Sequence, residues 1–337
     1  MFLKRKSIFF YLAITVLLCA LAPSALAAGA AKPVTVIDGD TLTALVEDYL
    51  EENSITPDRV AISYCYTATG EIWMYNADRL SPGASFYKLP LSMGIDRDIT
   101  AGKLLPGQKF HGMRILYAME RMLVDSNNPV AEEMLSYFGD TPFSSIVMEL
   151  AGLPEDICPV ADITKNEYSP RLMLGILLEL YRNAELYPEV INFMIQASPE
   201  RFFRTTLEDR YIVAQKYGSS VPHMNCAAIV YTPQPFLLTV LTSNVSSAET
   251  VLGDLAELFA DYTLSLDEEF DALSKTERRR AAGQLDAASV IPPESSVPIL
   301  TAASSELYAT QTQEFNDLAE AFFSAKATPT PFPSSNR

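Results

Sequence analysis

The sequence predicts a mixed α/β domain of the α+β type. One sheet is closed by strands from both ends of the domain, helices lie against it, and a helical lobe is inserted between the two strand sets. Three observations predict this. Two strand-like runs flank a turn at Ala68-Thr69-Gly70. A helix-period block follows from about residue 110 to 200. Three further strand-like runs and an amphipathic helix complete the pattern between residues 211 and 265. Strands at both ends with helices between them are the order expected when distant segments share a sheet.

Taken in order, residues 1–28 read as a targeting signal. Lys4, Arg5 and Lys6 precede the apolar run SIFFYLAITVLLCALA, and Ala25-Leu26-Ala27 offers a small-residue cleavage pattern. A retained N-terminal anchor is the alternative. No later stretch reaches the roughly 18 apolar residues of a membrane span. DTLTALVEDYLEENSI (40–55) has helix-period apolar positions, and RVAISYCYTATGEIWMYN (59–76) reads as two strands around the turn. Helical runs follow in ERMLVDSNNPVAEEMLSYFG, FSSIVMELAG and SPRLMLGILLELYRN; in the last, Ser169 is the N-cap and Pro170 the first helical residue. Strands return at YIVAQKYGSS (211–220), NCAAIVYT (225–232) and PFLLTVLTS (235–243). A last helix, SAETVLGDLAELFADYTLS, closes the region. The domain is therefore expected over 35–265, with its helical lobe at about 95–205. Residues 266–337 hold a charged helix, a Pro/Ser-rich linker, a short helix at 304–325 and a Pro-rich tail.

Composition excludes several functions. Without the three basic residues of the signal, the 25 Lys and Arg fall to 22 against 42 Asp and Glu, a net charge of −20. Nucleic acid and anionic lipid are poor partners for such a chain. Only two histidines are present. Neither belongs to a metal-spaced cluster, so no metal is expected and a histidine-based triad is disfavoured. Cys65, Cys158 and Cys226 remain after the signal, an odd number. They allow one bridge and a free thiol, or three buried thiols.

Three short segments carry chemistry. GASFYKLPL (83–91) places Ser85 three residues before Lys88, one helical turn apart. An amine on that face can take the serine's proton if burial lowers its pKa. Ser126-Asn127-Asn128 lies at a turn entering a helix, and Lys216-Tyr217-Gly218 ends a strand. Each has an ordinary structural alternative. Ser85 could cap a helix, Lys88 could be a solvated lysine, Ser126–Asn128 could be a plain turn, and Lys216 could guard a sheet edge. Gly218 suits a strand edge that must let a substrate backbone approach closely.

In this order, Ser-x-x-Lys, Ser-x-Asn and Lys-x-Gly resemble the active-site set of class A β-lactamases and penicillin-binding proteins. The likeness spans roughly residues 35–265. It implies their β-lactamase/transpeptidase-like fold, a five-stranded antiparallel sheet flanked by helices plus an all-helical lobe. It also implies a serine hydrolase that forms an acyl-enzyme with β-lactam or D-Ala-D-Ala-type substrates. On this resemblance Ser85 is the nucleophile and Lys88 its base. Ser126 relays a proton to the leaving nitrogen, and Asn128 holds the substrate's side-chain amide. Lys216 supplies positive charge for a substrate carboxylate. Tyr217, Gly218 and Ser219 line the substrate site, with the N–H groups of Ser85 and Ser219 as the oxyanion hole. No cofactor is implied. The expected partner is a small molecule or a cell-wall peptide, and the expected state a secreted or envelope-located monomer.

The chain departs from that family in three places. Asn127 stands where Asp is usual, and Tyr217 where a Thr or Ser hydroxyl is usual. The segment LPEDICPVADITKNEYSP has no Glu followed four residues later by Asn, the pair that activates the deacylating water. Glu155, Asp162 and Glu167 are the nearby carboxylates. These departures make slow deacylation, or a catalytically weak envelope-binding sensor on the same fold, the alternative expectation.

Overall fold

The computed structural model describes residues 35–139, 141–152 and 166–287. The signal-like segment, Glu155, Cys158, Asp162, the helix expected at 304–325 and the Pro-rich tail lie outside the described residues.

Helix α1 (Gly39–Glu52) begins where the Asp38 carboxylate accepts from the backbone N–H of Asp40 and Thr41. It buries Leu42, Val46 and Leu50, one stripe at helical spacing. Strands β1 (Val60–Tyr66) and β2 (Glu71–Tyr75) pair as the expected hairpin. A 3₁₀ turn, Ala84–Tyr87, feeds α2 (Lys88–Thr100). The lobe continues with α3 (Ile115–Leu123), α4 (Asn128–Met134) and α5 (Phe143–Ala151). Helices α6 (Pro170–Arg182) and α7 (Pro188–Gln196) follow. Ser169 caps α6 by accepting from the Leu172 N–H, with Pro170 first in the helix, as the sequence predicts. Strands β3 (Ile212–Ser220), β4 (His223–Tyr231) and β5 (Phe236–Ser243) lead into α8 (Ala248–Ala272) and α9 (Lys275–Ala287).

The sheet is five-stranded, antiparallel throughout, in the order β2-β1-β5-β4-β3. Every residue of β1 and β5 is buried, because both faces of these inner strands are covered. Alternation along the strands sorts the side chains into two layers. Ala61, Cys65, Ala214, Ala227, Ile229, Leu237 and Leu241 face the lobe side, against α2, α3, α5, α6 and α7. Val60, Ile62, Tyr64, Val213, Cys226, Phe236 and Val240 face α1 and α8. Strand β3 closes one edge of the sheet. A two-residue ribbon pairs Ser81 with Tyr168 and Pro82 with Glu167. It brings the chain just before α6 against the turn just before α2.

One boundary differs from the sequence expectation. Helix α8 runs through residue 265 to Ala272, so a domain end at 265 cuts it. Tyr262, Thr263, Leu266 and Phe270 are all buried and continue one helical face, while Asp267 to Glu269 give the segment its charged look. The Tyr66 hydroxyl donates to Asp267 and tethers this extension to the sheet. Helix α9 returns to the β1–β2 turn, where the Gln284 amide donates to the Thr69 carbonyl at 3.2 Å. Cys65 and Cys226 are buried free thiols on opposite faces of the sheet, and burial pushes Cys65 up to about 12. Among the described residues no helix is long and apolar enough to cross a membrane.

Candidate active site

The chain leaves the Ser81–Pro82 ribbon through Gly83 and a left-handed Ala84 (φ +48°), then enters the 3₁₀ turn that contains Ser85. The sequence puts Ser85 and Lys88 on one turn of α-helix. The structure instead puts Ser85 in the 3₁₀ turn and Lys88 at the first residue of α2. Side chains at i and i+3 eclipse in a 3₁₀ turn, which aligns the two groups more directly. Lys88 Nζ lies 3.1 Å from Ser85 Oγ. Lys88 is 0 % exposed, held under by Leu89, Pro90 and Leu91, which are themselves buried.

The second segment joins α3 to α4. Ser126 is left-handed (φ +55°), which turns its side chain and carbonyl back toward α2. The Asn127 side chain accepts from the Val130 N–H at 3.0 Å and caps α4. Asn at this position therefore supplies local order through a helix cap. Lys88 Nζ is 2.6 Å from Asn128 Oδ1 and 3.3 Å from Ser126 Oγ, and it also donates to the Ser126 carbonyl. Asn128 itself is exposed, so it faces both the amine and the open cleft.

The third segment is edge strand β3. Lys216 is 0 % exposed, with Nζ 3.1 Å from Ser126 Oγ and 2.9 Å from the Tyr217 carbonyl. The Ser126 hydroxyl thus stands between two lysine amines. Two residues on, Gly218 backs onto the turn that contains Ser85. A Cβ there would stand 2.1 Å from the Gly83 carbonyl oxygen and 3.3 Å from the Ser85 nitrogen. Only glycine lets the strand edge come this near. Ser219 and Ser220 follow, exposed at the strand end. The Tyr217 ring stacks on Phe202 at 4.3 Å and 17°. The Lys216 amine lies over the same ring, 4.3 Å from its centroid. Tyr217 is thus held beside the Lys216 amine while its ring packs against the α1/α8 layer.

Three segments far apart in sequence therefore converge on two hydroxyls and two buried amines. The sequence profile of the beta-lactamase enzyme family matches residues 41–263 of this arrangement. The chain belongs to the beta-lactamase enzyme family. Its fold is theirs as well. A beta-lactamase from Chitinophaga pinensis aligns with a TM-score of 0.53 at 19% identity, over 66% of this chain and 99% of the other. One from Xanthomonas campestris gives 0.55 at 17%, over 67% and 99%. An ancestral class A beta-lactamase gives 0.55 at 16%, over 65% and 99%. No curated protein matches the sequence.

In this beta-lactamase-family site both amines are drawn away from the ordinary lysine range. Burial lowers Lys88 from 10.5 to about 8, and the negative charge of Glu132 partly opposes the shift. Lys216 lies well below its usual value, first through burial and then through repulsion from Lys88. Glu132 is one turn beyond Asn128 on α4, so it lies on the helix face that meets Lys88. Replacing Glu132 by Gln removes a charge that favours the ammonium form of Lys88. Below pH 8 the rate of any step that uses the free amine is expected to rise about two- to fivefold, the size of one screened charge pair. Stopped-flow acylation rates from pH 5.5 to 9 check this, with the variant's acid limb displaced to lower pH.

Two positioning groups escape a reading of the sequence. The Asn166 side-chain amide donates to the Ala84 carbonyl at 2.7 Å, and the Asn166 backbone carbonyl accepts from the Gly83 N–H at 2.7 Å. The buried Asn225 amide donates to the Pro82 carbonyl at 2.9 Å, while its oxygen accepts from the Thr242 N–H at 3.2 Å. The Asn166 and Asn225 contacts span 82 and 143 residues of chain, and no local pattern announces them. Glu167 lies in the ribbon opposite Pro82. Among the described residues no carboxylate hydrogen-bonds to Ser85 or Lys88.

Proposed function

We propose that this protein is a serine hydrolase or acyltransferase that forms an acyl-enzyme on Ser85 with β-lactam or D-Ala-D-Ala-type substrates. The single observation that carries the reading is the pairing of Ser85 Oγ with Lys88 Nζ at 3.1 Å beside Ser126 Oγ with Lys216 Nζ at 3.1 Å, with both amines out of solvent. Free Lys88 takes the Ser85 proton as Oγ attacks the substrate carbonyl. The carbonyl oxygen gains charge between the Ser85 and Ser219 N–H groups, where fixed donors act most strongly. The C–N bond breaks as Ser126 passes its proton to the leaving nitrogen and takes in its place the one Lys88 removed from Ser85, across the 3.3 Å between Lys88 Nζ and Ser126 Oγ. A substrate carboxylate arriving near Lys216 favours its ammonium form, which in turn holds Ser126. The signal-like N-terminus supports export to the cell envelope or beyond. The acidic balance fits a small-molecule or peptide substrate rather than a polyanion.

Hydrolysis of the ester is the weaker half of the reaction. The segment 153–170 has no Glu followed four residues later by Asn, so acylation is expected to outrun deacylation. With a chromogenic cephalosporin, stopped-flow absorbance is expected to give a burst of about one equivalent. A slow phase follows at less than about 1 s⁻¹, the low end for enzymes. A second reading, a non-catalytic envelope-binding protein on the same fold, is favoured by Tyr217, whose ring is already engaged by Phe202 and by the Lys216 amine. Absence of both burst and turnover, with β-lactams and with D-Ala-D-Ala-type depsipeptides, would favour that reading over the enzyme.

A further inference from the structure

We propose that Asn166 is a positioning residue for the oxyanion hole: its side chain locks the Ala84–Ser85 peptide so that the Ser85 N–H is aimed into the cleft. The inference rests on the acyl-transfer reading above and adds to it a residue outside all three motifs.

The argument begins with one peptide unit. The Ala84–Ser85 bond is trans, since the cis bond recorded in this chain is Val221–Pro222. In a trans peptide the C=O and the N–H point in opposite directions. The Ala84 carbonyl is held by Asn166 Nδ2 at 2.7 Å. The Ser85 N–H must then point away from Asn166. On the other side stands edge strand β3, where a Cβ on Gly218 would come within 3.3 Å of the Ser85 nitrogen. Tying down the carbonyl therefore sets the direction of the donor.

The turn needs such a tie. Ala84 has a left-handed backbone (φ +48°), a conformation that alanine resists and that relaxes unless its neighbours fix it. Asn166 grips the chain on both sides of the Gly83–Ala84 peptide, because its backbone carbonyl also accepts from the Gly83 N–H at 2.7 Å. Asn166 itself is left-handed (φ +59°), which asparagine tolerates better than most residues. The chemistry of the contact selects the amide. A carbonyl oxygen only accepts, so the group facing Ala84 must be a donor. An ionised aspartate of the same shape would set oxygen against oxygen. Asn166 Oδ1 is buried with no hydrogen-bond partner among the described residues while the side chain holds this bond.

The test compares wild type with Asn166→Asp and Asn166→Ala, using a reporter β-lactam, stopped-flow acylation and the infrared stretch of the ester carbonyl in the acyl-enzyme. Removal of an oxyanion donor costs about 10²–10³ in rate, and misaiming one is expected to cost about tenfold to a hundredfold in acylation at pH 7. The ester carbonyl of Asn166→Ala is expected at higher wavenumber than wild type, since a weaker hydrogen bond reaches it. A residue that only stabilised the loop would leave that frequency in place. Asn166→Asp supplies an internal control in a single folded sample. As pH falls and the carboxyl protonates, it regains a donor, so its rate relative to wild type is expected to rise. Wild-type rates and wild-type ester frequency in both variants, with normal acylation of wild type, overturn the role of Asn166 and leave the acyl-transfer reading standing. Failure of wild type to form any ester overturns both.

Discussion

Lys88→Met is expected to lower the rate of Ser85 acylation by about 10²–10⁴, the range set by loss of a positioned general base. Methionine keeps the length and much of the volume of the stem among Leu89, Leu91 and the lobe core, but has no atom that accepts a proton. A buried amine costs desolvation, and this amine is 0 % exposed, so its replacement by an apolar group of similar size is not expected to unfold the domain. The pH profile supplies a second check. In wild type the acylation rate should rise through about pH 8, because Lys88 must lose its proton before it can act. Below that value the ammonium dominates and the rate falls tenfold per unit. The limb is expected to vanish in Lys88→Met. Acylation rates measured by stopped flow across this range, with thermal melting as the fold control, test both points.

Gly218→Ala is expected to be nearly as damaging by a different route. The added methyl meets the Gly83 carbonyl oxygen at 2.1 Å, and that oxygen belongs to backbone already used as the acceptor of the Phe86 N–H. No side chain can swing aside to relieve the contact. Strand β3 must draw back from the nucleophile turn, which separates the Ser219 and Ser85 N–H groups and lengthens the reach of Lys216 to Ser126. Loss of about 10²–10³ in acylation is expected, the usual scale for a lost oxyanion donor. Overpacking at one site costs about 1–3 kcal/mol, visible as a fall of several degrees in Tm. Overlapping acylation rates for Gly218→Ala and wild type would mean that the strand edge and the turn do not cooperate as described.

How much of this was legible in the chain depends on the range of each interaction. Ser85 and Lys88 are three residues apart, so the turn that aligns them is encoded locally. The fact that the turn is 3₁₀ rather than α was not legible, because nothing in GASFYKL separates the two. Lys216 and Gly218 lie on one strand and share a face at period two. Alternation sends the Tyr217 Cβ to the other face, but the long Lys216 stem still brings its amine over the Tyr217 ring, which alternation alone does not foretell. The full length of α8 was also readable from Thr263, Leu266 and Phe270, but the intervening acidic residues resemble a solvated segment. Asn166 and Asn225 were beyond reach of local pattern. Each acts on a backbone carbonyl in or just before the Ser85 turn, and a carbonyl leaves no trace in the sequence. Such contacts become visible only when β4, the ribbon and α2 are in place together.

The central claim is that Ser85 becomes covalently acylated, and one measurement addresses it most directly. The protein is incubated with a fluorescent penicillin, digested, and its peptides are weighed by mass spectrometry. The account predicts one penicilloyl addition, on the peptide that contains Ser85, and none in Ser85→Ala. An addition that persists in Ser85→Ala, or none on any peptide with either β-lactam or D-Ala-D-Ala-type donors, would contradict it.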